Sequence, residues 1–220
     1  MPSLTEENYL KAIFVLNQGN EKKASTNAIA DKMSTKASSV SDMLKRLNDK
    51  KLINYKKYQA AELTASGEKI AITIIRKHRL WEYFLVEKLK FGWDEVHDIA
   101  EQLEHIQSKE LTNRLEDFLD YPTLDPHGDP IPNKEGVFPI ELNETLSDKN
   151  ENESTTIIGV KNHSTEFLKY LDALSIELGT KVKIKKINDF DLSQEIVIDD
   201  KNSKHISKEV ADNLFVKISE

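Results

Sequence analysis

The sequence predicts a mainly α protein with a small β component, and three observations carry that prediction. Apolar residues recur at helical spacing through most of the first 120 positions. One basic hairpin signal interrupts them, and beyond about residue 153 the pattern changes to short strands alternating apolar with polar. The order implies an N-terminal winged helix-turn-helix over residues 1–75, a helical domain over 76–140, a linker over 141–152 and a small β-barrel over 153–220.

In the first segment, Tyr9, Leu10, Ile13, Phe14 and Leu16 share a helical face, with Thr5 as the expected N-cap and Gly19-Asn20 as the stop. Ser25-Thr26-Asn27 caps a short helix through Ala28, Ile29, Ala30 and Met33. After the turn Ser34–Ala37, a helix from Ser38 or Ser39 to about Asn48 buries Val40, Met43, Leu44 and Leu47. Two short helices separated by a turn make a helix-turn-helix, or an ordinary two-helix packing unit. Leu52–Tyr55 and Ala61–Thr64 then read as hairpin strands around Lys56, Lys57, Tyr58 and Gln59, which is a wing in the first case and a surface hairpin in the second.

A long helix is expected from Thr64 to about Leu89, broken at Phe91-Gly92-Trp93, and a second from Asp94 through Ile106. A third carries Leu111, Leu115, Phe118 and Leu119. The prolines and Gly128 between Tyr121 and Pro132 forbid helix there. Residues 141–152 are rich in Glu, Asn, Asp and Ser, the composition of a linker. Beyond them, strands are expected at Ile157–Val160, Lys181–Ile187, Gln194–Ile198 and Leu214–Ile218, with a helix at His163–Leu174.

The 220 residues contain no cysteine, so any metal must be held by imidazole, carboxylate, amide or carbonyl groups. No apolar run approaches the length of a bilayer span, and the N-terminus lacks a signal-peptide pattern, so a cytoplasmic address and no membrane partner are expected. The net charge of −7 argues against a nucleic-acid partner until it is divided: residues 1–75 carry +4, 76–140 carry −6 and 141–220 carry −5. A basic first third fits a module that contacts double-stranded DNA. On the second helix of the helix-turn-helix, Ser38 and Ser39 suit base edges or phosphates, Lys36 flanks them, and Lys45 and Arg46 suit phosphates. Asp42 suits a cytosine amino group or the orientation of a neighbour, and Lys56 and Lys57 on the hairpin suit phosphates.

At about 100° per residue, His97, Glu101, Glu104 and His105 fall in one sector of a helix. Such a stripe is either a metal site or a solvated charged face; His78 and Glu82, four residues apart upstream, add a second pair of donors.

Three stretches, Arg76-Lys77-His78-Arg79-Leu80-Trp81-Glu82, Val96 through His105, and Asp125-Pro126-His127-Gly128-Asp129-Pro130-Ile131-Pro132, resemble motifs of the diphtheria toxin repressor family of metal-dependent transcriptional regulators. The resemblance is close over roughly residues 4–140 and looser over the barrel. It implies that 76–140 is a metal-binding and dimerisation domain and 153–220 an SH3-like domain. By the same resemblance Glu101, Glu104 and His105 form a primary metal site completed by Asn8. His78, Glu82 and His97 form an ancillary one, to which His163 and Glu166 are candidate contributions, while His127 is read as a structural loop residue.

The implied protein is a homodimeric, DNA-binding repressor of metal-uptake genes. Glutamate rather than cysteine at 101 favours Mn2+, with Fe2+ the other candidate. Against the manganese-type pattern, Asn8 replaces an aspartate, and Lys11 stands where those members carry another carboxylate, so a second ion does not transfer to this chain. Asn8 belongs to the DNA-binding part and the other primary ligands to the dimerisation part, so one ion would tie the two. Without it, the facing carboxylates are expected to repel. Two other readings remain: a winged-helix factor whose cluster is structural or vestigial, and, more remotely, a dimetal hydrolase.

Overall fold

The computed structural model describes residues 2–18, 24–57, 59–140, 142–199 and 202–217, so the expectations placed on Gly19-Asn20, Tyr58 and Ile218 lie outside the described residues. The chain forms two compact units: Met1–His78 with Leu103–Lys109 and Pro132–Val137, and Arg79–Gln102 with Glu110–Ile131 and Phe138–Glu220.

In the first unit, α1 (Leu4–Leu16) is capped by Ser3 rather than Thr5. Glu6 sits at the third helical position, so the Ser3 hydroxyl accepts from the Glu6 amide while the Glu6 carboxylate accepts from the Ser3 amide, a reciprocal box that Thr5 cannot make. The helices α2 (Thr26–Lys32) and α3 (Ala37–Asp49) form the helix-turn-helix. α3 starts at Ala37, which puts Ser38 and Ser39 in its first turn and leaves Lys36 at the N-cap without a side-chain cap.

The wing is short: β1 (Ile53–Asn54) pairs antiparallel with β2 (Glu62–Leu63). Asn17, at the end of α1, ties it down by accepting from the Ala24 amide and donating to the Ala61 carbonyl. Leu10, Ile13, Ile29, Val40, Leu44, Leu47 and Ile53 close the core of this unit. The helix α4 (Ala65–Glu87) begins here and gives its later residues to the other unit.

In the second unit, Leu80, Leu115, Leu119 and Ile131 pack together, joining α4 to α6 (Lys109–Phe118) and to the proline-rich loop. The helix α5 runs only His97–Leu103. Asp94 and Glu95 form a turn instead of its start, because the Glu95 carboxylate and amide both fold back onto Gly92. Glu104 and His105 also lie beyond it, in the turn that follows.

The C-terminal domain is a five-stranded antiparallel sheet in the order β6-β5-β4-β3-β7, made of β3 (Ser154–Val160), β4 (Lys181–Ile187), β5 (Gln194–Ile198), β6 (Asn202–Ile206) and β7 (Leu214–Val216). Helix α7 (Thr165–Leu174) buries Leu168 and Leu171 in its core, and α8 (Lys208–Asp212) leads into β7. The supposed linker belongs partly to this domain: Leu146 is fully buried in the same core and Val216 donates to the Glu144 carbonyl. Two leucines in a polar stretch of twelve were too few for composition to register. Strand β6 carries Asn202, Ser203, Lys204 and His205 and so shows no apolar alternation to read.

Gly128 fastens the proline-rich loop to β3. It adopts φ +87°, and a Cβ there would collide with the Ile158 carbonyl oxygen. Gly128→Ala is therefore expected to lower stability by about 1–3 kcal/mol; an unchanged urea midpoint would contradict this.

Candidate metal centre

In the first unit, α1 and the segment Leu103–Lys109 bring carboxylate, imidazole and amine groups together. Glu104 is fully buried, and its carboxylate accepts from Lys11 Nζ at 2.7 and 3.0 Å and from His78 Nδ1 at 2.6 Å. Burial opposes the charge, but the hydrogen bond from His78 and the Lys11 ammonium hold its carboxyl below the usual range.

His105 lies beside it. With Nδ1 hydrogen-bonded to Glu7 Oε2 at 2.8 Å, its other nitrogen stands 3.8 Å from Glu104 Oε1. Glu7, Asn8 and Lys11 share one face of α1. The Asn8 amide oxygen is buried there with no hydrogen-bond partner, an unsatisfied acceptor of the kind a cation satisfies. Asn8 Oδ1, Glu104 and His105 Nε2 are donors of the types that a divalent ion takes, and the hydrogen bond to Glu7 would orient the ring as an outer partner does in metal sites.

The expected repulsion between uncompensated groups is absent here, because Lys11 already neutralises Glu104. Nearby, buried Lys77 donates to the Ile106 carbonyl; burial pulls its pKa down while Glu7 and Glu104 push it up.

The resemblance also assigns Glu101 to the primary site. That residue stays on α5 in the second unit, 43% exposed, with its carboxylate 3.7 Å from His97 Nε2. The single stripe drawn through His97, Glu101, Glu104 and His105 assumed a helix long enough to hold all four. Since α5 ends at Leu103, the last two residues leave the stripe.

The second unit has its own cluster. Glu82 is buried, with Oε1 3.4 Å from His97 Nδ1 and Oε2 3.5 Å from His127 Nδ1, and Asp125 Oδ1 lies 3.9 Å from the same His127 nitrogen. Potential ligand atoms of Glu82, Asp125 and His127 all lie within 4.8 Å of one another. His127 donates its Nε2 proton to the Trp93 carbonyl at 2.8 Å, which leaves Nδ1 facing the two carboxylates. At those separations it has no hydrogen-bond partner, and neither has Asp125 Oδ2.

His163 stacks on His127 at 4.6 Å between ring centroids and donates from Nε2 to the Val160 carbonyl. Glu166 is exposed and shares a cleft with Asp94, His97, Asp98 and His163. From the sequence Glu7 reads as a first-turn acid, while the resemblance puts His127 and Asp125 near the ancillary site with His127 as a structural loop residue. A carboxylate one residue from Asn8, and an imidazole inside a repeated Asp-Pro motif, were the available signals.

The eight candidate DNA contacts, Lys36, Ser38, Ser39, Asp42, Lys45, Arg46, Lys56 and Lys57, are all exposed. Asp42 and Lys45 pair at 3.3 Å on the exposed face of α3.

A winged helix-turn-helix whose first helix shares buried ligand-type side chains with a following helical domain is the architecture of a ligand-controlled DNA-binding regulator. Residues 2–61 match the iron dependent repressor N-terminal DNA binding domain, 64–133 its metal binding and dimerisation domain, and 144–218 the FeoA domain. Over nearly its full length the chain is similar to a manganese-dependent transcriptional repressor solved in complex with manganese, at 31% identity and a TM-score of 0.89, covering 96% of this chain and 98% of that one. Among curated relatives it is 34% identical over 128 residues to the iron-dependent repressor IdeR of Mycobacterium bovis, 58% of this chain and 55% of that protein. It is 33% identical to the diphtheria toxin repressor of Corynebacterium efficiens over the same shares. The matched stretch thus spans about half the length of these curated relatives. The chain belongs to the iron-dependent, or diphtheria toxin, repressor family.

One consequence of the second cluster can be measured in the metal-free protein. Burial opposes a charged His127 ring, yet Glu82, Asp125 and the Trp93 carbonyl push its pKa up to about 9. A pKa raised on folding stabilises fully below about 6.5 and is lost as pH rises through about 9. In chelator, the urea midpoint should fall over that window, and should fall less in Glu82→Gln. Equal pH dependence in the two proteins would contradict the assignment.

Proposed function

We propose that this chain is a transcriptional repressor that binds double-stranded DNA as a homodimer when a divalent metal, Mn2+ in preference to Fe2+, is held between α1 and the Glu104–His105 turn. The observation that carries the reading is the buried, unpartnered Asn8 oxygen on the helix that packs the DNA-binding core, with Glu104 and His105 gathered on the same face of that helix. Mn2+ is favoured because every donor available is oxygen or imidazole nitrogen, the chain having no cysteine. When bound, the ion supplies a positive charge shared by donors from both segments.

The chain's own residues do the rest. Asn8 and Lys11 present α1 to the turn, Glu7 orients His105, and α1 in turn packs the core that carries α3. Fixing α1 restricts where two α3 helices of a dimer can stand, and so their fit to two half-sites. On α3, Ser38 and Ser39 would meet base edges with Asp42 orienting a neighbour, while Lys36, Lys45, Arg46, Lys56 and Lys57 would hold phosphates.

Glu82 and His97, with His78 one turn before Glu82 on α4, would serve as the ancillary site, and His163 and Glu166 line its approach from the barrel. Dimerisation is supported by exposed apolar residues of the helical domain, Leu89, Phe91, Leu111, Phe118 and Tyr121. A cytoplasmic location suits a DNA-binding protein; among the described residues no helix is long and apolar enough to cross a membrane. The hydrolase reading is set aside because the family consists of repressors.

The test is affinity for a duplex selected from a random pool, measured at fixed salt in chelator, Mn2+ and Fe2+. Mn2+ should raise affinity by about 5–150-fold. Glu104→Ala or His105→Ala should abolish the increase while leaving α3 folded by circular dichroism. Lys45→Ala should weaken binding without changing the preferred sequence and should lower the salt slope by about 0.9. Equal affinity with metal and with chelator would sink the proposal and favour a structural role for the cluster.

A further inference from the structure

The Lys11 amine occupies a telling position. It donates to both oxygens of the buried Glu104 carboxylate, at 2.7 and 3.0 Å, and lies 3.5 Å from His78 Nδ1. A cation placed on both oxygens of a carboxylate stands where a metal ion bound to that carboxylate would stand. The side chain is about 15% exposed, so its ammonium is held in the interior rather than waving in solvent. Its chain reaches there from α1, whereas Glu104 belongs to the turn after α5, so one side chain spans the two segments.

We propose that Lys11 is a built-in cation of this centre: it holds Glu104 to α1 in the metal-free chain and takes the place of a second divalent ion. The inference rests on the reading of the centre as a metal site only for the ion count. The cross-link between α1 and the turn stands without it. Two consequences follow from charge and geometry. α1 is joined to the turn before any metal arrives, since the ammonium already compensates the buried carboxylate. The metal that does enter uses Asn8 and His105 with what remains of the coordination capacity of Glu104, so the centre in this unit takes one ion. Exchanging the ammonium for a carboxylate would reopen the second position by adding a donor where a charge now sits.

The test has two arms on the full-length chain. In the first, Mn2+ bound per chain is counted by equilibrium dialysis with electron paramagnetic resonance for wild type, Lys11→Arg and Lys11→Glu. Lys11→Arg should match wild type and Lys11→Glu should bind one more ion. In the second, urea midpoints are compared in chelator for wild type, Lys11→Arg and Lys11→Gln. Lys11→Gln should lose resistance while Lys11→Arg keeps most of it. The same ion count in Lys11→Glu as in wild type would overturn the substitution of a metal by the amine. Equal midpoints for Lys11→Gln and wild type would overturn the cross-link. The chelator arm contains no metal, so its outcome is independent of whether the chain responds to metal at all.

Discussion

The fully buried carboxylate of Glu104 is the constraint on which the first unit depends. An ionised group without solvent is tolerated only if it is paired and hydrogen-bonded, and removing one partner of such a pair typically costs on the order of 3–5 kcal/mol. Glu104 gathers its partners from distant parts of the sequence, Lys11 on α1 and His78 on α4, and so forces three segments to meet. Their meeting creates the rest of the centre: His105 follows Glu104 along the chain and finds Glu7, and Asn8 is left facing inward with an oxygen unused. The DNA-binding core is built on the other side of α1 through Leu10 and Ile13, which is why a small group of charges can matter to α3.

The second unit meets the same problem with different partners. Glu82 is buried between His97 and His127, and Asp125 accepts from the backbone of His127 and of Asp129. The burial of Asp125, with Asp129 and Glu82 beside it, pushes its carboxyl well above the usual range. Trp93, His127 and His163 form a stack of rings that runs from the turn before α5 through the proline-rich loop to the approach of α7. Trp93 Nε1 also donates to Asp172, and Thr165 to the Asp94 carbonyl, so the barrel is attached beside the same cluster. The cluster therefore lies where the C-terminal domain is attached to the helical domain.

Much of this was legible in the sequence, and for physical reasons. Helical periodicity located α1 to α4 and α6 because each buries a continuous apolar stripe, and strand alternation located β4 and β5 for the same reason on a sheet. Edge strand β6 and Leu146 were missed because their burial is not periodic. The candidate centre was legible in the spacing as an inventory of donors, and its division into two sites came from the resemblance. Spacing put His97, Glu101, Glu104 and His105 on one stripe only if α5 continued through them, and α5 ends at Leu103. Lys11 could be noticed as a departure from a family pattern, but the sequence carries no information on where a flexible amine comes to rest. The structure shows that it rests on Glu104.

The central claim is that α1 and the Glu104–His105 turn act as one element bound through shared charge, with metal adding to a bond that Lys11 begins. Amide hydrogen exchange of the full chain, compared in chelator and in saturating Mn2+, tests it most directly. The account predicts that protection rises together in Leu4–Leu16 and in residues 103–107. A rise confined to one of the two segments, or none in either, would contradict it.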